Sequence, residues 1–427
     1  MKLSRYAAVA ALLLSSSGAA RATVLTEDPL SGDSLSIGAT ARSFNYVMDG
    51  GLLDAPGMDP NAATIGVSLT DLRLRGELKR GDWLTIALHD SLTLTTSSFS
   101  LAESGGPLAL GQGRLPATWL PLDWSIEDGP QLSLHDRIDW GYARITKGAI
   151  SLTVGRQPVT FGRGSLWTPE DIVDPFSPVQ IDTEFKPGVD AARVDVTFGT
   201  HVTLAVLGVA GDTRDAHDLA IRKDGSSAIQ RLEVSLGTTR LGLMTGYVRG
   251  DAFGALDLFV DLGGADLHGE VTGTYVPDAS RRPFEREVFG RAVLGSTFQL
   301  SSRLTGTIEG YWNGSGTTHP SQYEEVLSSP RLASGETYNL GVLYGGAVAD
   351  LTLHALVHVA AAAIVNVIDG SALLAPSVHF NASTNTQLIA GAFFTVGKAP
   401  DFSGGSIARS EFALYPNLFH FDLKAYF

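Results

Sequence analysis

The last ten residues of this 427-residue chain, Leu418 to Phe427, constrain its fold more than any other stretch. Phe427, Ala425, Leu423, Phe421 and Phe419 share one parity, and Tyr426, Lys424, Asp422, His420 and Leu418 share the other. Successive strand side chains point to opposite sides, so the stretch predicts one oily face and one mostly polar face. An aromatic strand at the end of a chain is poorly suited to a water-facing sheet. It suits a closed sheet whose outer face meets lipid and whose inner face meets water.

The other end of the chain supports the same expectation. Lys2 and Arg5 precede an apolar run from Ala7 to Leu14, and Ala20-Arg21-Ala22 offers a small-x-small cleavage site. This predicts a secretory signal peptide over residues 1–22, leaving 23–427 as a single outer-membrane barrel domain. No later run reaches the roughly eighteen uninterrupted apolar residues that a membrane helix needs. The absence of cysteine excludes disulfides, thiolate metal sites and a thioether-linked haem, and no cofactor motif is present. The net charge of −14, which becomes −17 without Lys2, Arg5 and Arg21, argues against nucleic acid as a partner.

Alternating runs recur through the remaining chain, predicting an all-β fold: a transmembrane antiparallel β-barrel of about eighteen strands, with sixteen as the alternative. The runs begin at 34–48 and include 131–146, 149–158, 336–346, 351–365 and 410–427. Every second connection is tight, as at Lys147-Gly148, Gly199-Thr200 and Ser301-Ser302. The intervening ones include long stretches at 49–63, 97–130, 159–187, 212–225 and 314–335. Short periplasmic turns, long external loops and two periplasmic termini are the expected pattern. Two connections, Gly250 to Ala252 and Asn366 to Gly370, are short where a loop is expected.

Parity assigns the faces. Leu72, Leu74 and Leu78, Leu84, Ile86 and Leu88, and Ile138, Trp140 and Tyr142 read as lipid-facing. The opposite parity places Arg42, Arg73, Arg75, Arg137, Asp139, Arg193, Asp195, Arg231, Glu233, Asp257, Glu287, Arg291 and Glu309 in a polar lumen. An Arg or Lys on the lipid side costs about 2–4 kcal/mol near the midplane, which holds the parity firmly. Trp140, Tyr142, Trp312, Tyr338, Tyr344, Phe393 and Phe394 fall toward strand ends and are expected in an interfacial girdle. His354 and His358 share one predicted strand and would lie about 13 Å apart at roughly 3.3 Å per residue, too far to share a metal ion.

The most distinctive internal stretch is Val154 to Arg193, whose Pro169, Pro175, Pro178 and Pro187 exclude a regular strand or long helix. By count of the connections it is the third external loop. Gly155-Arg156-Gln157, Phe161-Gly162, Asp171, Asp174-Pro175-Phe176 and Pro187-Gly188 resemble the alginate-export-type family of outer-membrane channels. The family usually has Trp where this chain has Phe161. The resemblance implies a single-chain channel constricted by an inward-folded third loop. Arg156, Arg163, Asp171, Asp174, Asp182, Glu184 and Lys186 are the candidate constriction residues, since opposed charges across a narrowing set a field and a size limit. Arg156 shares parity with Ile150, Leu152 and Val154, and a bulge near Gly155 would turn it inward.

The terminal strand looks like the insertion signal that outer-membrane proteins present to the barrel-assembly machinery, with Phe419, Phe421, Leu423 and Phe427 carrying it. The reading is a porin-like, non-enzymatic channel for small polar, anionic or saccharide solutes, without a cofactor, in contact with outer-membrane lipid. The alternatives are a sheath for a periplasmic partner and, further off, a membrane hydrolase. A homo-oligomer is compatible with either channel or sheath.

Overall fold

The computed structural model describes residues 23–28, 31–49, 64–98, 115–178, 180, 183–212, 219–401 and 408–427. The expected signal peptide lies outside them. The strands are β1 (Thr23–Asp28), β2 (Asp33–Asp49), β3 (Thr64–Arg80), β4 (Leu84–Ser97), β5 (Asp123–Asp128), β6 (Leu132–Lys147), β7 (Ile150–Gln157), β8 (Val189–Phe198), β9 (Val202–Ala210) and β10 (Ser227–Leu236). They continue as β11 (Thr239–Val248), β12 (Asp251–Asp261), β13 (Asp266–Tyr275), β14 (Val288–Ser301), β15 (Leu304–Asn313), β16 (Leu343–His354), β17 (Val357–Asn366), β18 (Ala372–Ser383), β19 (Thr386–Val396) and β20 (Leu418–Tyr426).

All but β1 and β5 follow one another round a closed antiparallel barrel of 18 strands, the expected number. Closure is made by β20 against β2, from Thr40↔Tyr426 to Met48↔Leu418. At the seam Ala39 and Phe427 exchange both backbone hydrogen bonds, at 2.9 and 2.7 Å. The two short strands patch the wall. β1 pairs with Asp33 to Ile37 of β2, beyond the end of β20. β5 pairs with Ser133 to Arg137 of β6, beyond the point where β7 leaves β6 at Gly141.

One barrel end carries tight turns, and Gly148 and Gly199 there take φ of +59° and +62°, where an L side chain would be strained. Long connections gather at the other end. The short connection between β11 and β12 is a two-residue turn in which Arg249 and Gly250 both have positive φ, +51° and +91°. Such a turn matches the twist of paired strands and needs no loop. The strand count is therefore unaffected by it.

Alternation sets the faces as expected over most of the barrel. Phe419 and Phe421 are 58% and 50% exposed on the outer wall, whereas Arg42 and Arg73 are each 5% exposed inside. Four expectations need correction. Residues 336–342 belong to a loop rather than a strand, and the β16–β17 turn falls at Ala355-Leu356. Ala347 and Ala349 face Ala363 and Ala361 across this hairpin, next to Gly345 and Gly346, and such small side chains carry no polarity with which to mark a phase. Residues 410–417 likewise precede the last strand, which starts at Leu418.

The third correction concerns β6. His89 pairs with Trp140 but Asp90 pairs with Ile138, so Asp139 is an extra residue and the parity flips there. Trp140 and Tyr142 therefore face inward, Tyr142 opposite the buried Ala87. The fourth concerns the girdle and the lumen. Trp312 and Phe394 do face outward, but Tyr344 and Phe393 are buried inside, and Tyr338 sits in a loop. The lumen is polar only in part. Leu207, Ile229, Met244 and Phe253 of β9–β12 pack inward against Val159, Phe161, Ile172 and Val173. On the other side Tyr311, Tyr344, Ile364 and Phe393 pack with Trp167, Phe412 and Tyr415. These apolar inner surfaces receive the loops that fill the loop end of the lumen.

Candidate pore constriction

The connection 158–188 is the third at the long-loop end, and its described residues lie inside the barrel, held mainly through their own backbone amides. Glu309 on β15 accepts from the N–H of Ser165 (2.5 Å), Leu166 (2.9 Å) and Trp167 (3.2 Å). Glu270 on β13 accepts from Arg163, from Gly164 (2.9 Å) and from Glu170 (2.9 Å). A loop without ladder partners must find acceptors for its buried N–H groups, and wall carboxylates supply them. Side chains add to this. Arg163 pairs with Asp257 at 2.9 Å and with Glu233, and Arg231 joins Glu170 (2.5 Å) and Asp257 (2.8 Å). Arg291 reaches the Pro169 carbonyl and pairs with Glu336 of the 314–342 loop.

The returning limb crosses to the opposite wall. Lys186 pairs with Asp171 at 2.5 Å, and the Lys186 carbonyl accepts from the Trp140 indole N–H at 2.9 Å. Glu184 contacts Lys424 (3.3 Å) and accepts from the Tyr426 hydroxyl (3.0 Å). Between them the Phe185 ring lies 4.9, 4.5 and 5.8 Å from the guanidiniums of Arg42, Arg73 and Arg75, and edge-on to His89 and Trp140. Between this limb and strands β2, β3, β4 and β6 a cavity of about 490 Å³ remains, with Phe185 among its lining residues.

The expected constriction residues divide accordingly. Arg163, Asp171, Glu184 and Lys186 join the loop to the wall or to itself, and Asp174 lines the cavity. Burial pushes Asp171 up to about 6 and Asp174 up to about 7, in both cases against the pull of Lys186. Asp182 lies outside the described residues. Arg156 is fully buried in the wall, away from the passage. It binds Asp190 through Nε (2.9 Å) and Nη2 (3.0 Å), and donates to the carbonyls of Ile138 and Leu120. Gly155 takes φ of +122°, yet the register continues without a bulge through Arg156↔Gly141 and Arg156↔Asp190. Arg156 thus closes the gap between β6, β8 and the segment leading into β5.

Of the expected lumen set, Arg42–Asp71 (2.5 Å), Arg73–Asp139 (2.6 Å), Arg137–Asp123 (3.1 Å) and Arg193–Asp195 (2.8 Å) are ion pairs on the inner wall. Arg75 is half-buried beside Phe185. Glu287 is exposed in the connection before β14. His354 and His358 stand on neighbouring strands across the Ala355-Leu356 turn, and no metal-binding group of His, Asp or Glu occurs among the described residues. The important residues that sequence reasoning passes over are Asp71, Asp123, Glu170, Phe185 and Glu270. Asp71 and Glu270 have the parity of Arg73 and His268, a usable signal. Glu170 and Phe185 sit in irregular chain with no local mark.

No family model matches this chain, and no curated protein matches it by sequence. Among solved structures, OccAB4 of Acinetobacter baumannii has a TM-score of 0.55 at 8% identity over 92% of this chain and 97% of its own. OccK9 (OpdG) of Pseudomonas aeruginosa has a TM-score of 0.54 at 11% identity, covering 92% and 98%. A BenF-like porin from Pseudomonas fluorescens has a TM-score of 0.52 at 11% identity, covering 92% and 98%. The likeness is one of fold: the chain is a closed barrel of the outer-membrane porin type.

Proposed function

We propose that this protein is an outer-membrane channel for passive passage of small polar solutes, saccharides among them, with the third loop as its constriction. The observation that carries this reading is a loop bolted across a closed 18-stranded lumen by Glu270 and Glu309, leaving a cavity of about 490 Å³ along the β2–β6 wall. The tight-turn end, with both termini, faces the periplasm, and the outer wall meets outer-membrane lipid. Phe419, Phe421, Leu423 and the terminal Phe427 serve recognition by the barrel-assembly machinery. The likeness of residues 154–193 to the alginate-export type extends to the inward loop and not to the solute. A sheath around a periplasmic protein is disfavoured, because the chain's own loops occupy the loop end of the lumen.

The test is single-channel recording of the refolded protein in a planar bilayer. Discrete openings are expected. Silence from a barrel shown to be folded by heat-modifiable gel mobility would overturn the channel reading.

A further inference from the structure

Three arginines line the cavity beside the third loop, and each already has a carboxylate partner: Arg42 with Asp71, Arg73 with Asp139 and Arg137 with Asp123. One more carboxylate, Asp174, shares the lining, so three guanidiniums face four carboxylates; Asp136 pairs across β4 with the outward Leu92. At the level of Phe185, Glu184 faces both Arg75 and Lys424, and Asp422 pairs with His420. The excess of carboxylate over guanidinium sits in the cavity. Asp174 contributes to it from the loop side, partly exposed and without a hydrogen bond or ion pair to any described residue.

A guanidinium cancelled by a carboxylate at about 3 Å exerts little field further away, whereas an unpaired carboxylate attracts mobile cations and repels anions. We propose that Asp174 sets the charge preference of this passage and that the channel favours cationic solutes, small organic ammonium compounds among them, over anions of equal size. This rests on the channel reading above. It also departs from the anionic solute that the row of lumen arginines suggests in the sequence, because pairing removes their net charge.

The experiment uses the full chain in planar bilayers under a tenfold KCl gradient at pH 8, comparing wild type with Asp174→Asn and Asp174→Lys. A unit charge about 4 Å from a passing ion in water-like surroundings changes its occupancy about fivefold. Wild type should show a reversal potential of cation-selective sign. D174N should lower the cation-to-anion permeability ratio about threefold or more, and D174K should carry it toward anion selectivity. A second measurement needs no variant: 1,5-diaminopentane should block wild-type current at several-fold lower concentration than glutarate. An anion-selective wild type, equal block by the two compounds, or a folded D174N of unchanged ratio would each overturn the assignment. A folded but silent wild type would refute the channel reading itself.

Discussion

Replacing Glu309 with Gln tests whether wall carboxylates hold the third loop in the lumen. The Glu309 side chain is fully buried, with Oε1 facing Ser165 N–H and His268 Nε2 and Oε2 facing the N–H groups of Leu166 and Trp167. A glutamine offers one oxygen and one amino group. Whichever way it turns, the amino group points at two backbone donors or at one donor and the histidine. A hydrogen bond to a charged acceptor contributes about 1.5–3 kcal/mol, so losing one or two of them costs about 1.5–6 kcal/mol of anchoring. The barrel itself is held by its strand ladder and by closure through β20 and β2, neither of which includes this contact. E309Q should therefore insert as a heat-modifiable barrel with a mobile constriction, seen as larger and noisier single-channel current and as faster tryptic cleavage after Arg163. E270Q/E309Q should go further, since Glu270 holds three other amides of the same loop. Unchanged conductance, noise and protease resistance in the folded double variant would refute the anchoring argument.

Three other outcomes follow from the same geometry. A Cβ at Gly346 would lie 2.3 Å from Leu166 Cδ1 and 2.8 Å from the Trp167 ring, so G346V should displace the loop by sterics and red-shift the fluorescence of the buried Trp167. F185A removes the ring shared by Arg42, Arg73 and Arg75, about 0.5–2 kcal/mol of cation–π attraction, and should raise conductance. Asp174 is raised to about 7, chiefly by burial, with Lys186, Asp171, Arg137 and Arg249 the charged groups around it. Its negative charge is present above that value and lost below it, so the cation preference should fall as pH drops from 8 to 6, and D174N should abolish that fall.

The alternation of Leu72, Arg73, Leu74 and Arg75, the tight turns between longer connections, and the aromatic last strand are local properties. The sequence alone therefore determines a transmembrane barrel of about eighteen strands with those arginines inside. Parity reasoning fails where the backbone slips or the side chains are silent. The extra residue at Asp139 turns Trp140 and Tyr142 inward, and the Gly-Ala tract of β16 and β17 carries no phase. Arg156 has a good local reason to be expected in the pore, yet β5, paired to β6 beyond the end of β7, seals it in the wall. The constriction depended on tertiary structure most of all. The N–H of Glu170 meets the carboxylate of Glu270, one hundred residues on, only because closing the sheet brings β13 beside the returning third loop. Whether an arginine acts as a free charge or half of a neutral pair is likewise settled by which strand comes to lie beside it. Registry between distant strands decides that, and no single strand encodes it.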